Sequence, residues 1–247
     1  MKILITNDDG IQSPALPVLR DVLREFGTVE VVAPEREASA SSHAITVHQP
    51  LRFFQSTLTD GTKGWAVTGT PADCVVLGMV KLGRPDVVVS GINPGANLGD
   101  DVTYSGTVGG AFEAALYGIN AMALSVTDAS APEYGEAALV AARIFRSMSD
   151  LEHPFFLNVN VPPRSNGEIR ITKMGRRLWS SNVHERIDPR NKPYYWISGI
   201  PREVGDEESD VLAVKRGYIS ITPIKLDLTD YSRMERLRAL FSQPKDL

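Results

Sequence analysis

The first 163 residues alternate short apolar runs with segments of helical periodicity, and this rhythm restricts the fold more than any other feature of the chain. Alternating strands and helices are typical of a mostly parallel sheet that helices cover on both faces. The sequence therefore predicts the α/β class. The predicted strands lie near residues 3–6, 29–33, 65–68, 86–90, 121–126 and 155–161, and the predicted helices begin near residues 14, 71, 108 and 136.

The alternation stops at Pro162-Pro163. Residues 164–215 carry scattered aromatic side chains and an acidic turn but no helical period, which predicts an excursion of strands and loops. A strand returns at residues 217–222, and residues 230–241 read as a terminal helix. An earlier stretch without helical period, residues 43–54, is a candidate hairpin.

Size and composition narrow the class of protein further. We expect residues 1–163 to form the core and residues 164–247 to form an appended part of the same integrated domain. A net charge of −4 gives no sign of a nucleic-acid-binding surface. No apolar run is long enough for a membrane span, and the first strand follows Met1-Lys2 without room for a signal peptide, so a cytoplasmic location is expected. The single cysteine, Cys74, excludes an intramolecular disulfide and reads as a buried thiol.

Three polar loops follow predicted strands. Asp8 and Asp9 follow the first strand, Ser39 lies in the loop after the second, and Asn93 follows the Val-rich strand. Because parallel strands end at the same edge of a sheet, the three loops can converge there. Two carboxylates, a hydroxyl and an amide oxygen suit Mg²⁺, Mn²⁺ or Ca²⁺ better than zinc. Taken singly, each residue also fits an ordinary turn.

The third loop leads into a predicted helix through Ser105, Gly106 and Thr107. Small residues at a helix N-terminus let backbone N–H groups approach an anion, and the helix dipole favours negative charge there. Plain N-capping by Thr107 is the alternative and is compatible with anion binding. The chain has no Walker motif and no dinucleotide fingerprint after the first strand. An anion site beside a hard-metal site points to phosphoester hydrolysis.

With these loops, the chain resembles the survival protein SurE family of metal-dependent 5'-nucleotidases. The matching blocks occur in order over nearly the whole chain: Ile5-Thr6-Asn7-Asp8-Asp9-Gly10, Val32-Ala33-Pro34 with Ser39 and His43-Ala44-Ile45-Thr46, Gly69-Thr70-Pro71-Ala72-Asp73-Cys74, Ser90-Gly91-Ile92-Asn93, Ser105-Gly106-Thr107-Val108 and Gly217-Tyr218-Ile219-Ser220-Ile221-Thr222-Pro223. The resemblance implies a Rossmann-like, doubly wound core whose β-rich excursion and terminal helix serve oligomer formation, as a homodimer or homotetramer. It also implies hydrolysis of nucleoside 5'-monophosphates, and of polyphosphate as a further substrate class.

The resemblance also assigns residues. It implies one divalent cation, Mg²⁺ or Mn²⁺, held by Asp8, Asp9, Ser39 and Asn93. Ser105, Gly106 and Thr107 would bind phosphate, and His43 and Asn97 are candidates for the same pocket. Asp8 or Asp9 would be catalytic, as base or nucleophile; the absence of D-x-D spacing favours direct attack by water.

Two departures from the family pattern stand near these residues. Ala38 and Ala40 flank Ser39 where relatives often carry a basic or amide residue and a glycine, and Ala15 replaces a common glycine. Neither departure alters a proposed metal ligand.

Other readings stay open at this stage. Asp100 and Asp101 fit either a second pair of metal ligands or a solvated acidic loop. Arg176, Arg177 and Trp179 fit either contacts to a nucleotide or an ordinary surface. A non-catalytic nucleotide-sensing module and a nucleotide-sugar glycosyltransferase-like enzyme are the rival functions. We also expect Gly106→Val to impair substrate binding while metal binding survives.

Overall fold

The computed structural model of the chain describes residues 1–130, 132–180 and 182–242. Its strands are β1 (Lys2–Thr6), β2 (Thr28–Pro34), β3 (Phe53–Thr57), β4 (Lys63–Val67), β5 (Val87–Pro94), β6 (Asn120–Val126), β7 (Phe156–Val161), β8 (Ile169–Ile171), β9 (Arg176–Trp179), β10 (Asn182–Ile187), β11 (Pro193–Ser198), β12 (Pro201–Val204) and β13 (Ile219–Pro223). Its helices are α1 (Ala15–Leu23), α2 (Pro71–Leu82), α3 (Gly106–Leu116), α4 (Tyr134–Arg146), α5 (Asp210–Lys215) and α6 (Tyr231–Phe241).

The central sheet has nine strands within these described ranges, in the order β3-β4-β2-β1-β5-β6-β7-β13-β8. The six strands from β4 to β7 in this order are parallel to their neighbours, whereas β3 and β13 run antiparallel to β4 and β7. The strand order reverses beside β1, which lies between β2 and β5. This is the place where open α/β sheets bind ligands, beyond the carboxyl ends of the strands.

Helices cover both faces of the sheet. Ile3 and Ile5 of β1 contribute to the core under α1 and α4, whereas Leu4 contributes to the core under α2 and α3. Because successive side chains of a strand point to opposite faces, a continuous apolar run is needed to fill both cores. The predicted doubly wound α/β fold is confirmed.

Two predicted elements differ from the structure. No strand forms between residues 43 and 52; the hairpin is β3–β4 instead, and Thr46 is held by hydrogen bonds to the Asp73 carboxylate. The excursion also contains the short helix α5, capped by Ser209, where strands and loops alone were expected. A helix of six residues is too short to show a helical period in the sequence.

The excursion extends away from the sheet as two small ribbons. Strand β9 pairs with β12, and β10 pairs with β11 in a hairpin whose residues are all exposed. Strand β13 then returns to the sheet between β7 and β8. In the described part of the chain, no helix has the length and apolarity that crossing a membrane requires.

Candidate active site

The loops that follow β1, β2 and β5 meet at one edge of the sheet. Thr6 lies opposite Ser90 on the neighbouring strand, so the loop that carries Asp8 begins at the same edge of the sheet as the last residues of β5, which include Asn93. The N–H of Ala38 donates to the carbonyl oxygen of Asp8 at 2.7 Å, which fixes the loop after β2 against the end of β1. The convergence expected from the parallel topology is therefore present.

Asp8 is buried and faces the first turn of α3. The Thr107 hydroxyl donates to Asp8 Oδ1. Burial raises the pKa of Asp8 above its usual value, and the hydrogen bonds from the Thr107 hydroxyl and backbone N–H oppose that rise. The helix N-terminus expected to bind an anion thus already holds the carboxylate of Asp8.

Asp9 carries an oxygen with no partner. Its Oδ2 atom is buried and accepts no hydrogen bond within the described residues. Burial, followed by the negative charges of Asp8 and Glu37, raises the pKa of Asp9 to about 7. No Lys, Arg or His of the described ranges forms an ion pair with Asp8 or Asp9. The carboxylate pair therefore lacks a compensating positive charge from these residues.

Ser39 and Asn93 each keep an oxygen available. The Ser39 hydroxyl donates to Glu37 Oε1 at 2.7 Å and retains its lone pairs. Asn93 Nδ2 donates to the Gly95 carbonyl oxygen at 2.8 Å, which leaves the side-chain oxygen as the acceptor atom.

These donors suit a hard divalent cation. Asp8 and Asp9 have no positive partner among the described residues, and one oxygen of Asp9 is buried without a hydrogen bond. A bound cation would compensate both the negative charge and the unpartnered oxygen. Among the described residues, no three His, Cys, Asp or Glu side chains form a cluster able to hold a metal. A site here would therefore need the neutral oxygens of Ser39 and Asn93, an all-oxygen set that favours Mg²⁺ or Mn²⁺.

The first turn of α3 completes the site. Ser105 caps the helix by accepting the N–H of Val108 at 3.1 Å. Gly106 lies so close to its neighbours that an added Cβ would be 2.6 Å from Ser41 Oγ and 2.9 Å from Asp8 Oδ2. Gly106 and Thr107 are thus in contact with Asp8, and Ser105 lies next to them in the chain as the helix cap.

His43 and Asn97 are placed differently. His43 Nε2 is 2.5 Å from Oε2 of the buried Glu113, and its ring packs on Phe112 beside a cleft of about 670 Å³. Asn97 is buried, and its Nδ2 donates to Ser125 Oγ at 2.8 Å. Both side chains already have partners in the protein, and their contact with substrate stays a prediction.

Asp100 and Asp101 make contacts with the excursion. Asp100 accepts from Arg176, and Asp101 accepts from Arg177 Nη1 and from Trp179 Nε1, both at 2.6 Å. In this structure the three excursion residues bind the acidic loop, which accounts for both sets of residues without a second metal.

Sequence reasoning missed three residues near the carboxylate pair, Glu37, Ser41 and Tyr134, and it also missed Glu113, the partner of His43. Glu37 raises the pKa of both aspartates, and Ser41 Oγ is buried without a partner. Tyr134 lies close enough to Asp9 for that charge to raise its pKa, after burial. Glu37 and Ser41 flank Ser39 in an unusually polar loop, and that polarity could have indicated them from the sequence. Glu113 and Tyr134 lie in helices, where nothing in the local sequence indicates a functional role.

The chain matches a known protein family over most of its length. A family model described as Survival protein SurE matches residues 3–181. The chain belongs to the SurE family. It is 49% identical to the 5'-nucleotidase SurE of Pelobacter propionicus, over 95% of this chain and 97% of that one. It is 46% identical to the 5'-nucleotidase SurE 1 of Thermus thermophilus, over 97% and 98%.

A solved SurE structure shows the same architecture. The crystal structure of the SurE protein from Aquifex aeolicus superposes with a TM-score of 0.81 at 39% identity, covering 97% of this chain and 99% of that chain. The SurE fold therefore extends over the sheet, the excursion and the returning strand.

Proposed function

We propose that this chain is a 5'-nucleotidase that hydrolyses nucleoside 5'-monophosphates to nucleoside and phosphate with one divalent cation. The observation that carries the proposal is the pair Asp8 and Asp9, which has no counter-charge among the described residues: Asp8 is buried against the N-terminus of α3, and Asp9 has a buried Oδ2 atom without a partner. The names of the SurE relatives support the same activity.

The cation, Mg²⁺ or Mn²⁺, would be held by Asp8, Asp9, Ser39 and Asn93. When bound, it supplies positive charge that polarises a phosphoryl oxygen and makes a water more acidic. Thr107 orients Asp8 by donating to Oδ1, so the remaining oxygen of Asp8 faces the site.

The residues of the chain supply the remaining steps. The N-terminus of α3 stabilises negative charge on the phosphoryl oxygens mainly through the helix dipole, because the Thr107 and Val108 N–H groups already bond Asp8 and Ser105 Oγ. Asp9 Oδ2 has no partner among the described residues and would accept a proton from the attacking water. Thr107 occupies Oδ1 of Asp8, which favours Asp9 over Asp8 as the base.

Phosphate release from AMP with and without EDTA tests the proposal. We expect turnover with Mn²⁺ or Mg²⁺, loss of turnover in EDTA and recovery on adding metal, because all proposed ligands are oxygens. Asp8→Asn should abolish metal-dependent turnover while the circular dichroism spectrum stays unchanged. Full turnover in EDTA would refute metal dependence, and metal-dependent AMP binding without phosphate release would indicate a sensing module. Polyphosphate belongs in the same assay as a second substrate.

We further propose that the chain works as a homo-oligomer, a dimer or tetramer. The exposed apolar residues of β10, β11 and α6 support this, because large apolar surfaces mark contacts between subunits. A cytoplasmic location stays a prediction.

A further inference from the structure

The loop between Asn93 and Ser105 connects the two halves of the candidate site. Asn93, a proposed metal ligand, stands near the end of β5, and Ser105 caps α3, which carries the phosphate-binding turn. The position of the residues between them therefore sets how the metal and phosphate halves face each other. The contacts that hold this loop therefore affect catalysis as well as stability.

One fully buried carboxylate outside the site contacts this loop. Asp210, at the start of α5, is 0% exposed. Its Oδ2 accepts the N–H of Gly99 at 2.8 Å, and its Oδ1 accepts the N–H of Gly175 at 2.7 Å and of Val211 at 2.8 Å. The carboxylate thereby joins the loop, the start of the excursion and α5.

Gly99 is a specific point of attachment. Its φ angle is +51°, and an added Cβ would be 3.0 Å from the carbonyl oxygen of Gly175. The loop therefore passes very close to the excursion at the residue whose N–H is bound by Asp210. Two residues earlier, the carbonyl oxygen of Asn97 accepts from the side chains of Asn158 and Asn160, which fixes the loop to β7.

We propose that Asp210 is a positioning residue for the proposed 5'-nucleotidase reaction: it holds the loop of residues 95–105 so that Asn93 and the start of α3 face one substrate. The inference rests on the proposed function only for its kinetic readout. Asp210 contacts neither the carboxylate pair nor the turn at Ser105, so its effect passes through Gly99.

Asp210→Asn tests the inference sharply, because the two carboxylate oxygens have different partners. The amide oxygen of the variant can still accept hydrogen bonds from the N–H groups of Gly175 and Val211. Its NH₂ group then faces the N–H of Gly99, and because both groups are donors, the hydrogen bond to Gly99 is lost. The substitution is nearly isosteric and loosens the loop while retaining the link between the excursion and α5.

The matched control is Asp60→Asn in the β3–β4 turn. Asp60 has the same division of partners: Oδ2 accepts from Arg20, and Oδ1 accepts twice from Thr62. Arg20 lies in the second half of α1, so this change disturbs a hydrogen-bonded aspartate at another part of the fold.

We expect Asp210→Asn to raise amide hydrogen exchange in peptides covering residues 95–105 about tenfold or more, with β13 unchanged. Mn²⁺ affinity by calorimetry and kcat/KM for AMP should each fall by roughly 10- to 100-fold, the range seen when support of metal ligands is lost. These measurements are made at 25 °C, well below the Tm of each variant. Asp60→Asn should lower only the Tm.

A merely structural role of Asp210 predicts a different result. Asp210→Asn would then have a lower Tm, but its hydrogen exchange in the loop, its Mn²⁺ affinity and its kinetics would equal those of Asp60→Asn. That result overturns the inference. If Asp210→Asn does not fold, exchange in the unmodified protein decides, because rapid exchange of the Gly99 amide would refute the hydrogen bond. Wild-type protein without AMP hydrolysis would defeat the proposed function, while exchange and Mn²⁺ affinity would still test Asp210.

Discussion

At the scale of single residues, the contact between Thr107 and Asp8 links two parts of the site that lie 99 positions apart in the sequence. The hydroxyl of Thr107 compensates one oxygen of a buried carboxylate, and a buried carboxylate without such a donor would shift toward its neutral form. Since a metal ligand must be ionised, this hydrogen bond supports cation binding at neutral pH.

Thr107→Val removes the hydroxyl while keeping the side-chain volume. We expect the pKa of Asp8 to rise further and Mn²⁺ affinity and kcat/KM for AMP to fall by roughly 10- to 100-fold at pH 7. The loss should shrink at higher pH, where Asp8 ionises without help. Isothermal calorimetry and AMP kinetics at pH 6, 7 and 8 measure both effects. Thr107→Ser is the control that keeps the hydroxyl, and equal losses in both variants would contradict this role.

The raised pKa of Asp9 predicts how the metal-free protein responds to pH. Its folded-state pKa of about 7 lies above the ordinary aspartate value of 3.8, so the folded protein retains a proton that the unfolded chain releases. The stability from this group is present below about pH 4 and is lost as the pH rises through about 7.

We therefore expect the free energy of unfolding, measured with urea in EDTA at pH 8, to be lower for the wild type than for Asp9→Asn by on the order of 1 to 3 kcal/mol. The difference should become small only at about pH 4 and below, where Asp9 of the unfolded chain also holds a proton. Excess Mn²⁺ should reverse the order at pH 8, because only the wild type keeps both carboxylates. Parallel pH profiles for the two proteins in EDTA would show that Asp9 ionises normally.

How far single residues could be predicted depends on whether their role has a local signature. Asp8 and Asp9 follow a β-branched run, and strand ends in such sheets carry ligands, so their position alone suggested a site. Asp210 and Glu113 lie within or beside apolar helical segments and acquire partners only through the tertiary fold. Nothing near them in the sequence separates a buried, hydrogen-bonded carboxylate from a solvated one.

At the scale of elements, the first turn of α3 packs unusually close to the loop after β2. An added Cβ at Gly109 would be 2.2 Å from the carbonyl oxygen of Ser42, and one at Gly106 would be 2.6 Å from Ser41 Oγ. Glycine at these positions lets the helix N-terminus reach the carboxylate site.

This packing changes the expectation for substitutions at Gly106. A Cβ there would also be 2.9 Å from both Cβ and Oδ2 of Asp8. We therefore expect a larger residue at this position to disturb the proposed metal and phosphate binding together, whereas the sequence alone led us to expect that metal binding would survive.

Gly106→Ala should lower Mn²⁺ affinity by about tenfold or more and turnover by about 10²-fold, because Asp8 and Ser41 must both move. Gly135→Ala in the first turn of α4 is the control, since an added Cβ there meets nothing within 4 Å. Calorimetry with Mn²⁺ and AMP kinetics give the two readouts. Intact Mn²⁺ affinity in Gly106→Ala, with turnover lost, would restore the separation of the two sites.

Elements with a clear period or a clear cap were predictable from sequence. Helix α2 follows the Thr70-Pro71 start and has a capping box with Asp73, and α6 lies within a residue of its predicted start. The hairpin was placed too early because residues 43–52 lack periodicity of either kind. They are held instead by tertiary contacts, among them the bonds from Thr46 to Asp73.

At the scale of the whole molecule, much apolar surface lies outside the central core. Trp196 and Ile197 of β11 are 64% and 89% exposed, and α6 has no buried residue although it carries Leu237, Leu240 and Phe241. Surfaces of this kind are costly to leave in water, which favours association of copies.

Light scattering at micromolar concentration should give a mass of at least twice the 27.0 kDa of one chain. Replacing Trp196 and Ile197 together with serine should lower that mass or weaken association, because it removes apolar area from the exposed hairpin. Leu139→Ser on α4 is the control, an exposed apolar residue elsewhere on the surface. A monodisperse wild-type monomer would contradict the proposed assembly.

The position of β13 affects the order in which the molecule can form during synthesis. Strand β8 joins the sheet through β13, which is made about 50 residues later, and Gly99 is bound by a residue 111 positions downstream. A polypeptide that ends before residue 210 can contain the six parallel strands from β4 to β7 in the sheet order and still lack the Asp210 hydrogen bond that holds Gly99. We therefore expect ribosome-bound or prematurely terminated chains to carry the carboxylate pair with a loosely held loop, and to gain full activity only after the last residues have been added.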